Sequence, residues 1–204
     1  MRVGTEAPKE SGVREQKRRE TLRRITDVGI CLFIEKGIDG TTIDEIAEAA
    51  GISRRTFFHY FGSKDDILLS LQSGMSEMIA GEIRTAPLES SPYDAVRLAL
   101  LKITGSIPSE DMFALDRMMR GSASVQARKQ ASYARHEATL FSALQQRWPE
   151  PDREPRLRLV AMVAVSALRL ASEIFNQEGG KRPFPLILDG AFEGLQAELI
   201  RNHQ

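Results

Sequence analysis

The fold is decided by residues 42–60, which read TIDEIAEAAGISRRTFFHY. Thr42 is followed three residues later by Glu45, the spacing of a capping box, which predicts a helix of about eight residues. Gly51 then permits a tight turn, and Ser53 can cap a second short helix. Two short helices joined by a glycine turn have the anatomy of a helix-turn-helix. Because helices this short are marginal in isolation, they need a scaffold from neighbouring helices.

Outside this stretch, hydrophobic residues recur with the 3.6-residue period of a helix, which predicts an all-α protein of about nine helices. A first helix over residues 14–36 and a fourth over about 64–84 would supply the scaffold. Five more are expected over residues 92–105, 110–119, 122–148, 153–177 and 185–203. We therefore predict a flexible arm at residues 1–13, a three-helix DNA-binding domain of the helix-turn-helix type at 14–63, and a helical bundle at 64–204.

Composition excludes several classes of protein. The chain has 204 residues, with 28 Lys and Arg against 28 Asp and Glu, so a generally polybasic coat is excluded while a local basic patch is not. The single cysteine, Cys31, excludes an internal disulfide and a multi-cysteine metal site, and its position predicts a buried residue of the first helix. No apolar run is long enough to span a membrane, and no signal peptide is evident. We expect a cytoplasmic protein without a metal, a cofactor or a membrane partner.

The second short helix carries the residues that could contact DNA. Its predicted exposed face holds Arg54, Arg55, Thr56, His59 and Tyr60. Arginine can bind guanine with two hydrogen bonds, and hydroxyls such as those of Ser53 and Thr56 can reach base edges or phosphates. Histidine and tyrosine can donate to phosphates. The alternative is an ordinary three-helix core with a solvated basic face.

Residues 41–69, TTIDEIAEAAGISRRTFFHYFGSKDDILL, favour the first interpretation, because they resemble the DNA-binding domain of the tetracycline-repressor (TetR) family of bacterial transcriptional regulators. The matching features are the threonine pair, the alanine-rich helix, the Gly-Ile-Ser turn, the aromatic run and the Ser-Lys-Asp that follows it. The resemblance extends over about residues 14–70. One departure is Arg55, where many relatives carry glycine.

The resemblance implies a homodimer that places the third helix of each subunit in a major groove of a palindromic operator on double-stranded DNA. Base contacts would come from Arg54, Arg55 and Thr56. Phosphate contacts would come from Thr42, His59, Tyr60 and Lys64. A small-molecule effector, which the sequence does not identify, would bind the C-terminal helices and release the DNA by changing the spacing of the two recognition helices.

The C-terminal helices offer candidates for the effector site. The apolar or amphipathic candidates are Met112, Phe113, Met118, Met119, Tyr133, Phe141 and Leu168, for each of which plain core packing is the alternative. Arg120 could hold an acidic head group. Arg169 lies in an otherwise apolar helix, and we expect it to pair with Glu173, one turn further on.

The last two helices are the candidates for the dimer interface. Gly190 and Gly194 share one face of the last helix, and two helical glycines need a reason such as the close approach of another helix. Ala164, Ala167 and Ala171 on the preceding helix offer a matching surface. Across a two-fold axis these helices would form a four-helix bundle, with tight packing inside one subunit as the alternative.

Enzymatic function is not supported by any motif. The sequence has no glycine-rich phosphate loop, no HExxH, no nucleophile elbow and no plausible catalytic dyad at readable spacing. We predict a ligand-responsive DNA-binding transcriptional regulator, acting as a repressor. The alternative is a helical architectural or protein-interaction module without an effector.

Overall fold

The computed structural model describes the backbone of residues 9–200 and the side chains of residues 13–128 and 131–199. This part of the chain is all-helical and contains no strand, as predicted. The helices are α1 (Lys9–Lys36), α2 (Ile43–Ala49), α3 (Arg54–Tyr60), α4 (Asp65–Arg84), α5 (Pro92–Gly105), α6 (Ser109–Gly121), α7 (Ala123–Arg147), a short 3-10 helix (Pro151–Arg153), α8 (Glu154–Gln177) and α9 (Phe184–Ile200).

The first helix is longer than the sequence pattern indicates. It begins at Lys9 rather than at residue 14, so the end of the predicted flexible arm is helical, while residues 1–8 lie outside the described residues. Side-chain pairs one turn apart, such as Arg19 with Glu15 and Gln16 with Glu20, support this exposed first part of α1. The predicted end of the last helix at residue 203 also lies outside the described residues.

The chain divides into two compact units, here called the N-terminal unit (Met1–Ser70) and the C-terminal unit (Leu71–Gln204). The division falls inside α4, whereas the predicted boundary was residue 63. The difference has a physical reason: Ile67 and Leu68, in the first turn of α4, are fully buried and belong to the core of the N-terminal unit.

In the N-terminal unit, α1 and α4 approach each other closely at Gly29 and Ile67. A Cβ atom at Gly29 would lie 2.8 Å from Cδ1 of Ile67, so the contact depends on the missing side chain. Cys31 is exposed, which corrects the prediction that it is buried. The buried stripe of α1 runs through Gly29 and Phe33. Cys31 lies between them in sequence, about 200° around the helix from either residue.

The C-terminal unit is a bundle in which α8 packs against α5, α7 and α9. The inner surface of α8 consists largely of small residues, since Ala161, Ala164 and Ala171 are completely buried. Larger side chains from the neighbouring helices, such as Leu144 of α7 and Phe192 of α9, fill the space that these alanines leave. None of the helices in the described part of the chain is both long enough and apolar enough to cross a bilayer.

Candidate nucleic-acid interface and ligand cavity

The start of α2 is fixed by the predicted capping box. Oγ1 of Thr42 accepts a hydrogen bond from the Glu45 amide at 3.2 Å, and Oε2 of Glu45 accepts one from the Thr42 amide at 2.8 Å. Nζ of Lys36, the last residue of α1, donates to Oε1 of Glu45 at 2.9 Å. The Thr42 amide, the Lys36 ammonium and the Thr42 hydroxyl together lower the pKa of Glu45 from 4.5 to about 2. One carboxylate thus joins the end of α1 to the start of α2.

The start of α3 is fixed by Ser53, the predicted N-cap. Its Oγ accepts a hydrogen bond from the Thr56 amide at 3.0 Å and lies 2.8 Å from Oγ1 of Thr56. Gly51 makes the turn before it with a φ of 64°, a left-handed conformation that favours glycine. Ser53 and Thr56 are both candidate DNA contacts, and their hydroxyls pair with each other in the free protein.

Buried aromatic rings orient α3 in the N-terminal unit. Phe57 is completely buried and Phe61 nearly so, with ring centres 5.7 Å apart. The opposite side of α3 exposes Phe58 and His59, and Tyr60 is half-buried with its ring edge-on to His59. The outward face of this seven-residue helix therefore carries both polar and aromatic groups.

The two arginines of α3 differ in their surroundings, although both are exposed. Nη1 of Arg54 lies 2.7 Å from Oδ2 of Asp44 on α2, and its guanidinium carbon lies 5.7 Å from the centre of the Phe58 ring. Arg55 makes no hydrogen bond, ion pair or ring contact with any residue that the structure describes. Arg54 thus has partners within the protein, while all five donors of Arg55 remain available.

Lys64 has a structural role that the sequence pattern does not reveal. Its Nζ donates to the backbone carbonyl of Ile38 at 2.6 Å and to that of Thr41 at 2.7 Å. These bonds tie the loop between α1 and α2 to the residues just before α4. Two of the three ammonium protons are therefore used inside the protein, whereas the sequence interpretation assigned Lys64 to a phosphate.

The C-terminal unit encloses a cavity of about 170 Å³ between α4, α6, α7 and α8. Five of the predicted ligand residues line it: Met112, Met119, Arg120, Tyr133 and Leu168. Three others, Phe113, Met118 and Phe141, do not. Met112, Asp116 and Met119 are spaced three to four residues apart, so they share the face of α6 that lines the cavity. Phe113 and Met118 lie outside that face.

Core packing accounts for two of these three residues. The Phe113 ring packs edge-on against Phe175 with centres 5.9 Å apart, and the Phe141 ring lies 5.7 Å from the guanidinium carbon of Arg158. Both rings pack against the core of the C-terminal unit. The lining also includes Gln72 and Met75 of α4, which the sequence pattern does not predict, because the face of α4 that meets the cavity depends on how the helices pack.

A buried polar cluster forms one wall of the cavity. Asp116 is only 7% exposed, and its Oδ2 accepts hydrogen bonds from Nε of Arg120 at 2.7 Å and Nδ2 of Asn176 at 3.1 Å. Oδ1 of Asp116 accepts from Oγ of Ser172 at 2.7 Å, and Nη2 of Arg120 donates to the same hydroxyl at 2.9 Å. Asp116 therefore compensates the charge of Arg120, which weakens the expectation that Arg120 holds an acidic head group.

A second polar group on the wall is uncharged. Oγ of Ser132 lies 3.2 Å from both Oε1 of Gln72 and Nε2 of His136. Burial, and to a lesser degree the charge of Arg135, lower the pKa of His136 below its ordinary value of 6.5. His136 is therefore neutral at pH 7.

Arg169 does not make the predicted ion pair with Glu173 in the described structure. Its guanidinium carbon instead lies 4.6 Å from the centre of the Tyr133 ring, across on α7. Glu173 is exposed, and the aromatic face offers Arg169 a partner that also covers part of its side chain. Arg169 lines the cavity and is itself exposed, so it lies where the cavity meets solvent.

The residues predicted for the dimer interface separate into two groups. Ala164, Ala167 and Ala171 are buried in the core of their own chain, so they offer no surface to a partner, which corrects that part of the prediction. Gly190 and Gly194 are exposed, and a Cβ atom at either would meet nothing within 4 Å. Tight packing inside one subunit therefore does not explain the two glycines.

Comparisons with known proteins agree with this architecture. The family described as "Bacterial regulatory proteins, tetR family" matches residues 25–71, and the family described as "MftR C-terminal domain" matches residues 90–200. The chain is 28% identical to the HTH-type transcriptional regulator TcmR of Streptomyces glaucescens over 109 residues, which is 53% of this chain and 48% of TcmR. It is 30% identical to the regulator AcrR of Shigella flexneri over 100 residues, 48% of this chain and 46% of AcrR. The chain spans about half the length of these curated relatives.

A solved structure shares the fold over a larger part of the chain. The Bacillus subtilis regulator FadR, in complex with stearoyl-CoA, superposes with a TM-score of 0.55 over 84% of this chain and 95% of its own, at 15% identity. Taken together with the two family matches, these findings show that the chain belongs to the TetR family of bacterial transcriptional regulators. Proteins of this family are regulators and not enzymes.

The first prediction concerns the carboxylate that joins α1 to α2. Because the pKa of Glu45 is lowered on folding, its ionised form stabilises the protein above pH 4.5, and that contribution is lost as the pH falls through about 2. Glu45→Gln keeps a side chain that can cap but removes the charge. The variant should be less stable than the wild type in urea denaturation at pH 7, and the difference should shrink towards pH 3. Glu48→Gln, an exposed change on the same helix, should show no such convergence.

The second prediction tests whether Lys64 has a structural role or only contacts a DNA phosphate. Lys64→Met keeps the aliphatic stem but removes both hydrogen bonds to backbone carbonyls, which should lower the free energy of unfolding by about 1–3 kcal/mol. Lys102→Met, which removes the exposed ion pair to Glu82, should cost less than about 1 kcal/mol. A Lys64→Met variant that is fully stable and differs only in affinity for DNA would contradict the structural role.

Proposed function

We propose that the protein is a DNA-binding repressor that responds to a small-molecule ligand. The observation that carries the proposal is α3 itself, a helix capped by Ser53, anchored by Phe57 and exposing Arg55 without a partner among the described residues. Membership of a family of transcriptional regulators supports a function in DNA recognition. The alternative, an architectural or protein-interaction module, has no comparable feature in its favour.

In this proposal, α3 enters the major groove of DNA. Its two arginines contact the DNA in different ways. Arg55 has a free guanidinium that can form two hydrogen bonds with a guanine. Arg54 approaches the DNA in an orientation set by Asp44 and Phe58. Phosphate contacts from Thr42, His59 and Tyr60 would fix the register of α3 without reading sequence.

A homodimer with a palindromic operator is part of the same proposal. The outer face of α8 exposes Leu159, Met162 and Leu170, which are 60%, 45% and 48% exposed, at helical spacing. The outer face of α9 exposes Leu186 near Gly190 and Gly194. Large exposed apolar side chains grouped in this way favour a partner surface, and the glycines would let a helix of a second copy approach closely. A two-fold axis would present two copies of α3 to symmetric half-sites.

The ligand response would run through α4. Gln72, Met75 and Ile79 of this helix line the cavity, while Ile67 and Leu68 of the same helix belong to the core of the N-terminal unit. A ligand that binds one conformation of α4 more tightly must shift the equilibrium towards it, and DNA affinity then falls by linkage. The FadR structure holds an acyl-CoA, which supports a small-molecule effector for this chain.

The third prediction tests the two arginines. The wild type should enrich a palindromic sequence from a pool of random duplexes. Arg55→Ala should weaken binding to that sequence by roughly 1–3 kcal/mol and relax the preference at one base pair in each half-site. Fluorescence anisotropy against the enriched sequence and single-base variants measures both effects.

Two controls make this test decisive. Arg55→Lys keeps the charge but not the two-pronged donor, so it should retain affinity for non-specific DNA while losing the base preference. Asp44→Asn should lower the ratio of specific to non-specific affinity, because it frees Arg54 from its orientation. A wild type that enriches no sequence would favour the architectural alternative, and an unchanged preference in Arg55→Ala would show that Arg55 reads no base.

The fourth prediction concerns the dimer. Gly194→Leu should fold normally, because the added side chain meets open space within its own subunit and leucine is a better helix former than glycine. If a second copy covers this face, the variant should shift towards the monomer in light scattering and bind the operator weakly. Gly74→Leu places the same change at another exposed helical glycine with open space around it and should leave the dimer intact. A Gly194→Leu protein that stays dimeric would place the interface elsewhere.

A further inference from the structure

The charges of the side chains that line the cavity do not sum to zero. Asp116 and Arg120 neutralise each other at 2.7 Å, and His136, whose pKa burial lowers, is neutral at pH 7. The remaining ionised residue among the lining residues is Arg169. The cavity walls therefore carry one uncompensated positive charge, and that charge lies at the opening rather than in the interior.

Arg169 contacts an aromatic ring but keeps its N–H groups available for a ligand. The guanidinium carbon of Arg169 lies over the Tyr133 ring, 4.6 Å from the ring centre. The N–H groups of this guanidinium make no hydrogen bond or ion pair with any residue in the described part of the chain. A guanidinium that contacts an aromatic ring and has unpaired N–H groups can bind a carboxylate, which accepts two parallel hydrogen bonds.

The rest of the cavity fits a compact apolar body. Met75, Met112, Val165 and Phe175 supply apolar walls, and the neutral polar side chains on the lining include Gln72, Ser132 and His136. The volume of about 170 Å³ is close to that of an apolar protein cavity that holds a benzene molecule, roughly 150 Å³. A long acyl chain would need the helices to separate, whereas a single ring fits the cavity as it stands.

We propose that this cavity selects a small monocarboxylate with a ring-sized apolar body, and that Arg169 receives the carboxylate at the opening. The inference rests on the proposed function in one respect, which is that the bound acid would be the effector. It differs from the expectation drawn from the sequence, which gave the acidic head group to Arg120. It differs also from the acyl-CoA in FadR, in size and in charge.

The experiment measures ligand binding without DNA. Isothermal titration calorimetry of the full chain compares benzoate, phenylacetate and cyclohexanecarboxylate with their neutral primary amides, on the wild type, Arg169→Met and Arg117→Met. Arg117 is the matched control, since it is an exposed arginine of α6 that does not line the cavity. The wild type and Arg117→Met should bind at least one acid about tenfold to hundredfold more tightly than its amide. Arg169→Met should lose that preference while still binding the amide.

Any of the following results would contradict part of the inference. Equal affinity for acid and amide in the wild type, or an unchanged acid preference in Arg169→Met, removes the role of Arg169. An equal loss of both ligands in Arg169→Met indicates a merely structural effect of this residue. If none of the three acids binds while a fatty acyl-CoA does, the size argument is wrong.

A separate gel-shift assay keeps the two proposals apart. It asks whether an acid that binds in calorimetry also releases the enriched operator from the wild type. Binding without release would leave the ligand class standing and remove its role as effector. Release by another class of compound, and not by the acid, would leave the repressor standing and remove the acid as its effector.

Discussion

The seven residues of α3 cannot hold a helix by themselves, and the whole surface proposed to face DNA depends on how the protein compensates for this. Ser53 satisfies the amide of Thr56 at one end, and the burial of Phe57 fixes which side of the helix faces inward. Glu45 and Lys64 then fix the neighbouring loops by charged hydrogen bonds to Thr42, Lys36 and backbone carbonyls. The arginines of α3 can stay exposed because the stability of the unit comes from elsewhere.

A comparable division of tasks occurs along α8. Its inner face consists largely of alanines, and larger side chains from neighbouring helices, such as Leu144 and Phe192, belong to the same core. Its outer face carries Leu159, Met162 and Leu170, which contribute little to the folded monomer. Ala164, Ala167 and Ala171 were expected at the dimer interface, but the structure buries them and leaves Leu159, Met162 and Leu170 exposed. Small side chains on the inner face let several neighbouring helices pack closely around α8.

Much of the fold could be predicted from the sequence because its determinants are local. The capping box at Thr42, the cap at Ser53 and the period of the apolar residues depend on neighbours within one or two turns, and the structure confirms them. The cavity depends on several helices at once, so the sequence identified Met112 and Leu168 but also Phe113 and Phe141, which pack against the core. The lining residues of α4 had no sequence signal, because an amphipathic helix does not reveal what it packs against.

The ion pairing of the arginines is the feature that the sequence predicts least well. Arg54 and Arg55 are adjacent, and Arg120 and Arg169 each have a carboxylate one turn away, at Asp116 and Glu173. In each pair one arginine forms an ion pair within the protein, Arg54 with the exposed Asp44 and Arg120 with the buried Asp116. The other one, Arg55 or Arg169, has no ionic partner in the described residues. A guanidinium that is already paired with a carboxylate has fewer donors left for an external anion than an unpaired one. The side chains most suited to external ligands are therefore Arg55 for DNA and Arg169 for an acid, and three-dimensional packing alone distinguishes them from their counterparts.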